Sequence, residues 1–366
     1  MRRTTSPGAV GRLAEAFAAD RATVHEDLEA AFELRTKQNR RRWLRRVPAM
    51  LYGLYRYAVR RCVANWPVWL WLHGCHVGYG AERVRESIRL TPQPTASPLR
   101  PKASIVVLSY NRLAYLRTTL ESLYATTEKD DFELIVVDNG STDGSAEALR
   151  GLAASGVIDK LILRSRNHGT SAGFNVGFAY AEPSTQFLIK LDSDIKLLTP
   201  GWLPRFEAFF QRVPEAGILA MHQVNHAALM AAPRDVVGGE NVISWNWWTV
   251  GSACMTIPRQ VFQRLGYFCE DFEIKYMPDD VDYVKRVFLL GRKAYYPCRT
   301  RAYHRFDLDR AYERLQQQKR RELPDSEKKQ KDIYREYVTG VRDIAVFYPH
   351  YQDCVFSAGQ KIVEMD

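Results

Sequence analysis

Phe187-Leu188-Ile189-Lys190-Leu191-Asp192-Ser193-Asp194 runs from a largely apolar segment into two carboxylates two positions apart. The run Phe187 to Leu191 reads as a buried strand of a parallel sheet. A strand ending in acids sets them at the carboxyl edge of the sheet, where open α/β sheets bind ligands. Paired carboxylates suit Mg²⁺ or Mn²⁺, ions that commonly reach a site together with substrate phosphates. Asp-x-Asp also occurs in ordinary loops, so its weight comes from the order of the segments around it.

Upstream, Ser104 to Leu108 is a short β-branched run that ends in Ser109-Tyr110-Asn111-Arg112. A helix with Leu116, Leu120 and Leu123 on one face follows, then a second buried strand, Leu134 to Val137. That strand leads into Asp138-Asn139-Gly140-Ser141-Thr142-Asp143-Gly144-Ser145, turn chemistry closing on Ser145 as the expected helix N-cap. Lys160 to Leu163 gives a third strand, followed by Asn167-His168-Gly169 and the glycines Gly173 and Gly177. These glycines do not form a dinucleotide-binding fingerprint. Close helix packing is the better reading of Gly177, and donor contact the better reading of Asn167 and Gly169. Downstream, Val250 to Pro258 reads as a strand entered through Gly251. Asp279-Asp280-Val281-Asp282 opens a helix, and Ala294 to Pro297 is a strand that precedes His304. Helix capping accounts for one or two of the three acids at 279–282. The alternation of strand and helix predicts βαβ units and a mostly parallel sheet flanked by helices.

In this order, Ser109-Tyr110-Asn111, Asp138-Asn139, Asn167-x-Gly169, Gly173-x-Asn175-x-Gly177, Asp192-Ser193-Asp194, Gly251, Asp279 to Asp282 and His304 resemble a family 2 glycosyltransferase of the GT-A fold. The resemblance spans about Ser104 to His304. It implies an inverting hexosyl- or deoxyhexosyltransferase that uses a nucleoside-diphosphate sugar, UDP first and dTDP second, and Mn²⁺ or Mg²⁺. Donor contacts would come from Ser109, Tyr110, Asn111, Arg112, Asp138, Asn139, Asn167, Gly169, Gly173, Asn175, Asp192 and Ser193. Asp194 and His304 would hold the metal, and Asp280 would be the catalytic base. Trp247, Trp248, Gly251, Asp279 and Asp282 would lie on the acceptor side. The pattern departs at Asp279, where the family often has Glu, but the carboxylate is retained. The acceptor implied is a glycan or a lipid-linked saccharide, with a protein or nucleic-acid acceptor as the alternative.

The chemistry agrees with these residue types. A leaving diphosphate stabilised by a divalent ion needs no general acid, so one carboxylate base suffices. Two other classes remain open. A nucleotidyltransferase would carry a basic glycine-rich loop after the first strand, which Ser109-Tyr110-Asn111-Arg112 does not resemble. An inactive binding protein of the same fold would have no use for acids at 192, 194, 279, 280 and 282.

The 366 residues, 46% of them hydrophobic, suffice for one large catalytic domain with appendages. The expected organisation is a helical basic and aromatic extension over 1–90, a Pro-rich linker over 91–101, the catalytic domain over 102–304 and a charged helical extension over 305–366. Net charge is +10. No acid lies between Glu33 and Glu82, a stretch holding ten Lys and Arg residues interleaved with Trp and Tyr. No run there approaches the roughly 18 continuous apolar residues of a spanning helix. Residues 35–72 suit an anionic membrane surface first, packing on the catalytic domain second and nucleic acid last. Scattered cysteines and the lack of an apolar segment behind the N-terminal arginines predict a cytoplasmic protein, peripheral on the inner face of a membrane.

Overall fold

The computed structural model describes residues 101–226, 229, 232, 234–244, 253–271, 279–305, 329 and 332–366. The expected extension over 1–90, the linker up to residue 100, and Trp247, Trp248 and Gly251 lie outside them.

The β-branched runs become strands β1 (Ala103–Ser109), β2 (Phe132–Asp138), β3 (Lys160–Arg164) and β4 (Phe187–Asp192). They pair in parallel in the order β3-β2-β1-β4. Between them run helices α1 (Leu113–Thr126), α2 (Ser145–Ala154) and α3 (Thr170–Ala179). Helix α1 buries Leu116, Leu120 and Leu123 completely; each such side chain contributes about 1.5–3 kcal/mol. They join one core with Ile105, Val107, Val136, Ile189 and Trp202 of α4 (Trp202–Arg212). The opposite sheet face is covered by α3. There a Cβ on Gly173 would meet Leu108 Cδ1 at 2.4 Å, and one on Gly177 would meet Val106 Cγ1 at 2.3 Å. Both glycines serve close helix–sheet packing, which corrects the donor contact expected of Gly173.

Beyond β4 the sheet becomes mixed. Strand β10 (Cys254–Pro258) runs antiparallel between β4 and β6 (Ala216–Ala220), and β11 (Lys293–Pro297) lies parallel to β6. The hairpin of β8 (Asp235–Val237) and β9 (Glu240–Ser244) closes that edge. A second, three-stranded sheet joins β5 (Ile195–Leu197), β12 (Arg301–His304) and β7 (His222–Gln223). Helices α5 (Arg259–Leu265) and α6 (Asp279–Leu289) complete the elements that bear on the site.

Two expectations need correction. Ser145 is the first residue of α2, and the cap position belongs to Gly144 at φ 86. That left-handed backbone favours glycine, and Asp143 Oδ1 accepts the Ser145 N–H at 3.1 Å instead. The segment after 304 is also not simply a helical appendage. It is helical at 332–339, with Ile333, Tyr334 and Tyr337 buried, and it then ends in β13 (Ile362–Met365), which pairs in parallel with β3. The edge of β3 offers unpaired backbone groups, and the backbone of β13 satisfies them.

Candidate active site

The paired acids lie where the large sheet hands over to the small one. Asp192 ends β4 opposite Leu108, and its N–H donates to Ala253 O at 2.8 Å. One residue past Asp194 the chain becomes β5, and Ile195 stands opposite His304 in the antiparallel β5–β12 ladder. The Arg305 N–H then donates to Asp194 O at 2.8 Å. This register carries His304 across about 110 positions of sequence to Asp194, whose Oδ1 lies 3.2 Å from His304 Nε2. One ligand atom each from Asp192, Asp194 and His304 falls within a mutual span of 4.8 Å. Two carboxylates and an imidazole form a donor set suited to Mn²⁺ or Mg²⁺, so these residues fit the divalent ion that the sequence implies. Asp192, expected among the donor contacts, stands within this same cluster of acids and imidazole.

The imidazole is oriented on its other side. His304 Nδ1 lies 3.2 Å from Gln223 Oε1, an acceptor, so Nδ1 carries the proton and Nε2 faces the carboxylates. Asn225 holds the same residue by its backbone, accepting from His304 N at 3.0 Å and donating to His304 O at 2.6 Å. Burial opposes a charge on His304, yet the Asp194 carboxylate outweighs it and raises the imidazole above its ordinary value. Burial likewise opposes the charge on Asp194, but His304 and then Arg112 hold its carboxyl well below the usual range. At Asp192 burial wins and the pKa rises, although Lys190 Nζ lies 2.8 Å from Oδ1. Lys190 is itself buried in β4 with its ammonium 4.8 Å from the Phe174 ring centre.

The loop after β1 supplies a cation to this cluster. Asn111 and Arg112 both adopt left-handed backbone, at φ 56 and 64. Such a conformation costs a non-glycine residue about 1–2 kcal/mol, and local bonds offset it. Asn111 N–H donates to Ser141 Oγ at 2.7 Å, and Asn111 Oδ1 accepts Thr142 N–H at 2.8 Å. The result brings Arg112 Nη1 to 3.3 Å from Asp194 Oδ2. Ser109 and Asp138 stand side by side at the ends of β1 and β2. The Asp138 carboxylate is buried, which raises its pKa, and it accepts the Ser141 N–H at 2.9 Å and hydroxyl at 2.5 Å. Among the described residues the buried Ser109 hydroxyl has no hydrogen-bond partner. Tyr110 is exposed, and the Ser193 carbonyl accepts the Thr119 hydroxyl at 2.7 Å from α1.

Several expected site residues turn out to hold the scaffold. Asn139 donates its amide to Asn167 Oδ1 at 2.9 Å and Gly169 O at 3.1 Å, and accepts His168 N–H at 3.3 Å. Asn167 Oδ1 also accepts the Gly169 N–H at 2.8 Å. This amide pair shapes the loop before α3, and the Asn139 side chain is spent on it. Asn175 is fully buried, brackets the Phe268 backbone with bonds of 2.9 Å to both its carbonyl and its N–H, and donates to Glu270 Oε1 at 2.6 Å. It is a link between α3 and the segment before α6, not a donor contact. Asp282 pairs with the fully buried Arg286 at 2.9 Å. Arg286 also donates to the carbonyls of Leu265, Tyr267 and Ile344. Asp282 therefore belongs to a buried structural ion pair, away from the acceptor role expected of it. Asp280 is buried in the first turn of α6 and accepts the Val281 N–H at 2.9 Å.

Sequence reading passed over Lys190, Arg305 and Glu270. A lysine inside an apolar strand and an arginine directly after His304 were visible signals for the first two. Glu270 has none, because its partners Asn175 and Tyr351 are distant in sequence.

Two carboxylates, an imidazole and cations thus converge at the carboxyl edge of an α/β sheet, a donor set suited to a divalent ion. Residues 104–227 match the family described as Glycosyl transferase family 2. Among curated proteins the chain is similar to the O-antigen biosynthesis protein RfbC of Myxococcus xanthus, 28% identical over 61% of this chain and 18% of that protein. It is also similar to an undecaprenyl-phosphate 4-deoxy-4-formamido-L-arabinose transferase of Aeromonas hydrophila, 33% identical over 32% of this chain and 36% of that protein. The chain thus spans well under half the length of these relatives. Among solved structures it is similar to a mannosyltransferase of Pyrobaculum calidifontis in complex with GDP-Man and Mn²⁺, at 18% identity and TM-score 0.48 over 65% of this chain and 68% of that one.

Proposed function

We propose that this protein is an inverting, metal-dependent glycosyltransferase. It moves a sugar from a nucleoside-diphosphate sugar, UDP before dTDP, to a hydroxyl of a glycan or lipid-linked acceptor. The observation that carries this reading is the convergence of Asp192, Asp194 and His304 at the carboxyl edge of a family 2 domain. The names of the relatives, O-antigen biosynthesis and undecaprenyl-phosphate sugar transfer, support the acceptor class.

In this reading Ser109, Tyr110 and Asp138 receive the nucleoside at the ends of β1 and β2. Asp192, Asp194 and His304 hold a divalent ion, which supplies Lewis-acid neutralisation of the diphosphate. Arg112, fixed by its left-handed backbone, adds positive charge beside Asp194. Asp280 takes the proton of the acceptor hydroxyl as that oxygen bonds to the anomeric carbon. The bond from that carbon to the phosphate oxygen breaks on the opposite face, and its electrons leave with the diphosphate. Residues 35–72 rest on anionic lipid at the inner face of a membrane, supported by their run of cations and aromatics. Among the described residues no helix is long and apolar enough to cross a membrane. Flotation with anionic vesicles at low salt but not at high salt tests that placement, and equal binding to neutral vesicles counts against it.

Incubation with UDP- and dTDP-sugars, Mn²⁺ and acceptor extracts tests the chemistry. Nucleoside diphosphate should be released, whereas pyrophosphate would identify a nucleotidyltransferase. Asp280→Asn should keep donor affinity and lower kcat by at least about a hundredfold, as loss of a general base does. Weakened donor binding with kcat intact would remove Asp280 from the role of base and leave it as a helix cap.

A further inference from the structure

Arg305 directly follows His304, and its backbone extends the β5–β12 ladder by one bond to Asp194. The residue is only 7% exposed. Among the described residues its guanidinium makes no hydrogen bond or ion pair. What it does touch is an aromatic ring: its Cζ lies 5.2 Å from the Tyr115 centroid, and Arg112 Cζ lies 4.0 Å from the same centroid. Tyr115 sits buried on α1, so one fixed ring supports two guanidinium groups.

The charges around this ring do not balance. Asp192 is matched by Lys190, and Asp194 by His304 and Arg112. Among the described residues no carboxylate forms an ion pair with Arg305. A buried cation is costly unless it is paired and hydrogen-bonded. A ring contact supplies some of the stabilisation, but it leaves the N–H donors of the fork unused. A guanidinium matches phosphate with two parallel N–H···O bonds.

We propose that Arg305, supported on Tyr115 beside Arg112, binds the diphosphate of the donor and stabilises its charge as it leaves. This deepens the glycosyl-transfer reading and rests on it. The ring contact holds the guanidinium near Arg112, and the ladder to Asp194 ties the residue's backbone to the acids. Arg305 thereby joins recognition of the phosphates to the geometry of the candidate metal ligands.

Isothermal titration of the full chain with UDP and with uridine, in the presence of Mn²⁺, separates phosphate recognition from nucleoside recognition. Arg305→Gln should weaken UDP binding about ten- to a hundredfold, the range of a lost charge-assisted pair, while uridine binds as before. Arg305→Lys should recover part of the loss, because the charge returns without the fork. Equal losses for UDP and uridine, or UDP binding unchanged in Arg305→Gln, would overturn the assignment. A wild-type chain that binds none of UDP, dTDP and GDP would instead overturn the donor reading beneath it, an outcome distinct from both.

Discussion

His304 sets the pH response of the site. Its raised pKa means that its pairing with Asp194 stabilises the metal-free fold fully below its ordinary 6.5 and is lost as pH rises through the raised value. The depressed Asp194 contributes in the opposite sense, present above 3.8 and lost as pH falls through its lowered value. A metal ion needs the deprotonated Nε2, so metal and proton compete for one atom. Mn²⁺ affinity should rise about tenfold per pH unit below the His304 pKa and level off above it. Titrations of metal at a series of pH values measure this, and a flat profile between about pH 6 and 8 would remove His304 from the ligands. At this scale the sequence was legible wherever chemistry depends on residue type at a strand end, as at Asp194 and His304. It was not legible where a side chain's partner is remote. Asn175 looked like a donor contact, and its amide instead holds the Phe268 backbone 93 residues away.

The strands and helices of the first half could be read from their runs, since β1 to β4 are buried on both faces and continuous in apolar character. Strands β5, β7 and β12 span three, two and four residues, too short for any periodicity. Yet their pairing brings His304 to Asp194, so the element that completes the site was the least visible. Helix α6 shows the converse. Its acids invited a functional reading of all three, and Asp282 proves to neutralise Arg286 inside the core. Breaking a buried pair of this kind costs about 3–5 kcal/mol because a charge is left unmatched. Asp282→Ala should lower unfolding stability in urea by that order and leave UDP affinity intact in the folded fraction. A variant of unchanged stability with a raised acceptor KM would restore Asp282 to the acceptor side.

Across the molecule, the chain end returns to the sheet that the first strands begin. Strand β13 closes the β3 edge, and the segment before it packs on Gly266 and Arg286, so the domain includes residues assigned in sequence to an appendage. A charged stretch hid this, because the four residues of β13 come after it with no pattern longer than Ile-Val-Glu-Met. What the whole fold accomplishes is to gather acids from β4 and the β4–β5 turn, a histidine from β12 and arginines from two loops at one place. The central claim is that this place holds a divalent ion for a nucleotide-sugar donor. Electron paramagnetic resonance of free Mn²⁺ tests it without recourse to turnover. The wild-type chain should remove one equivalent of the free-ion signal, more tightly with UDP present, and both Asp194→Ala and His304→Ala should abolish that uptake while remaining folded. Uptake by either variant equal to that of the wild type, or none by the wild type with UDP bound, would contradict the account.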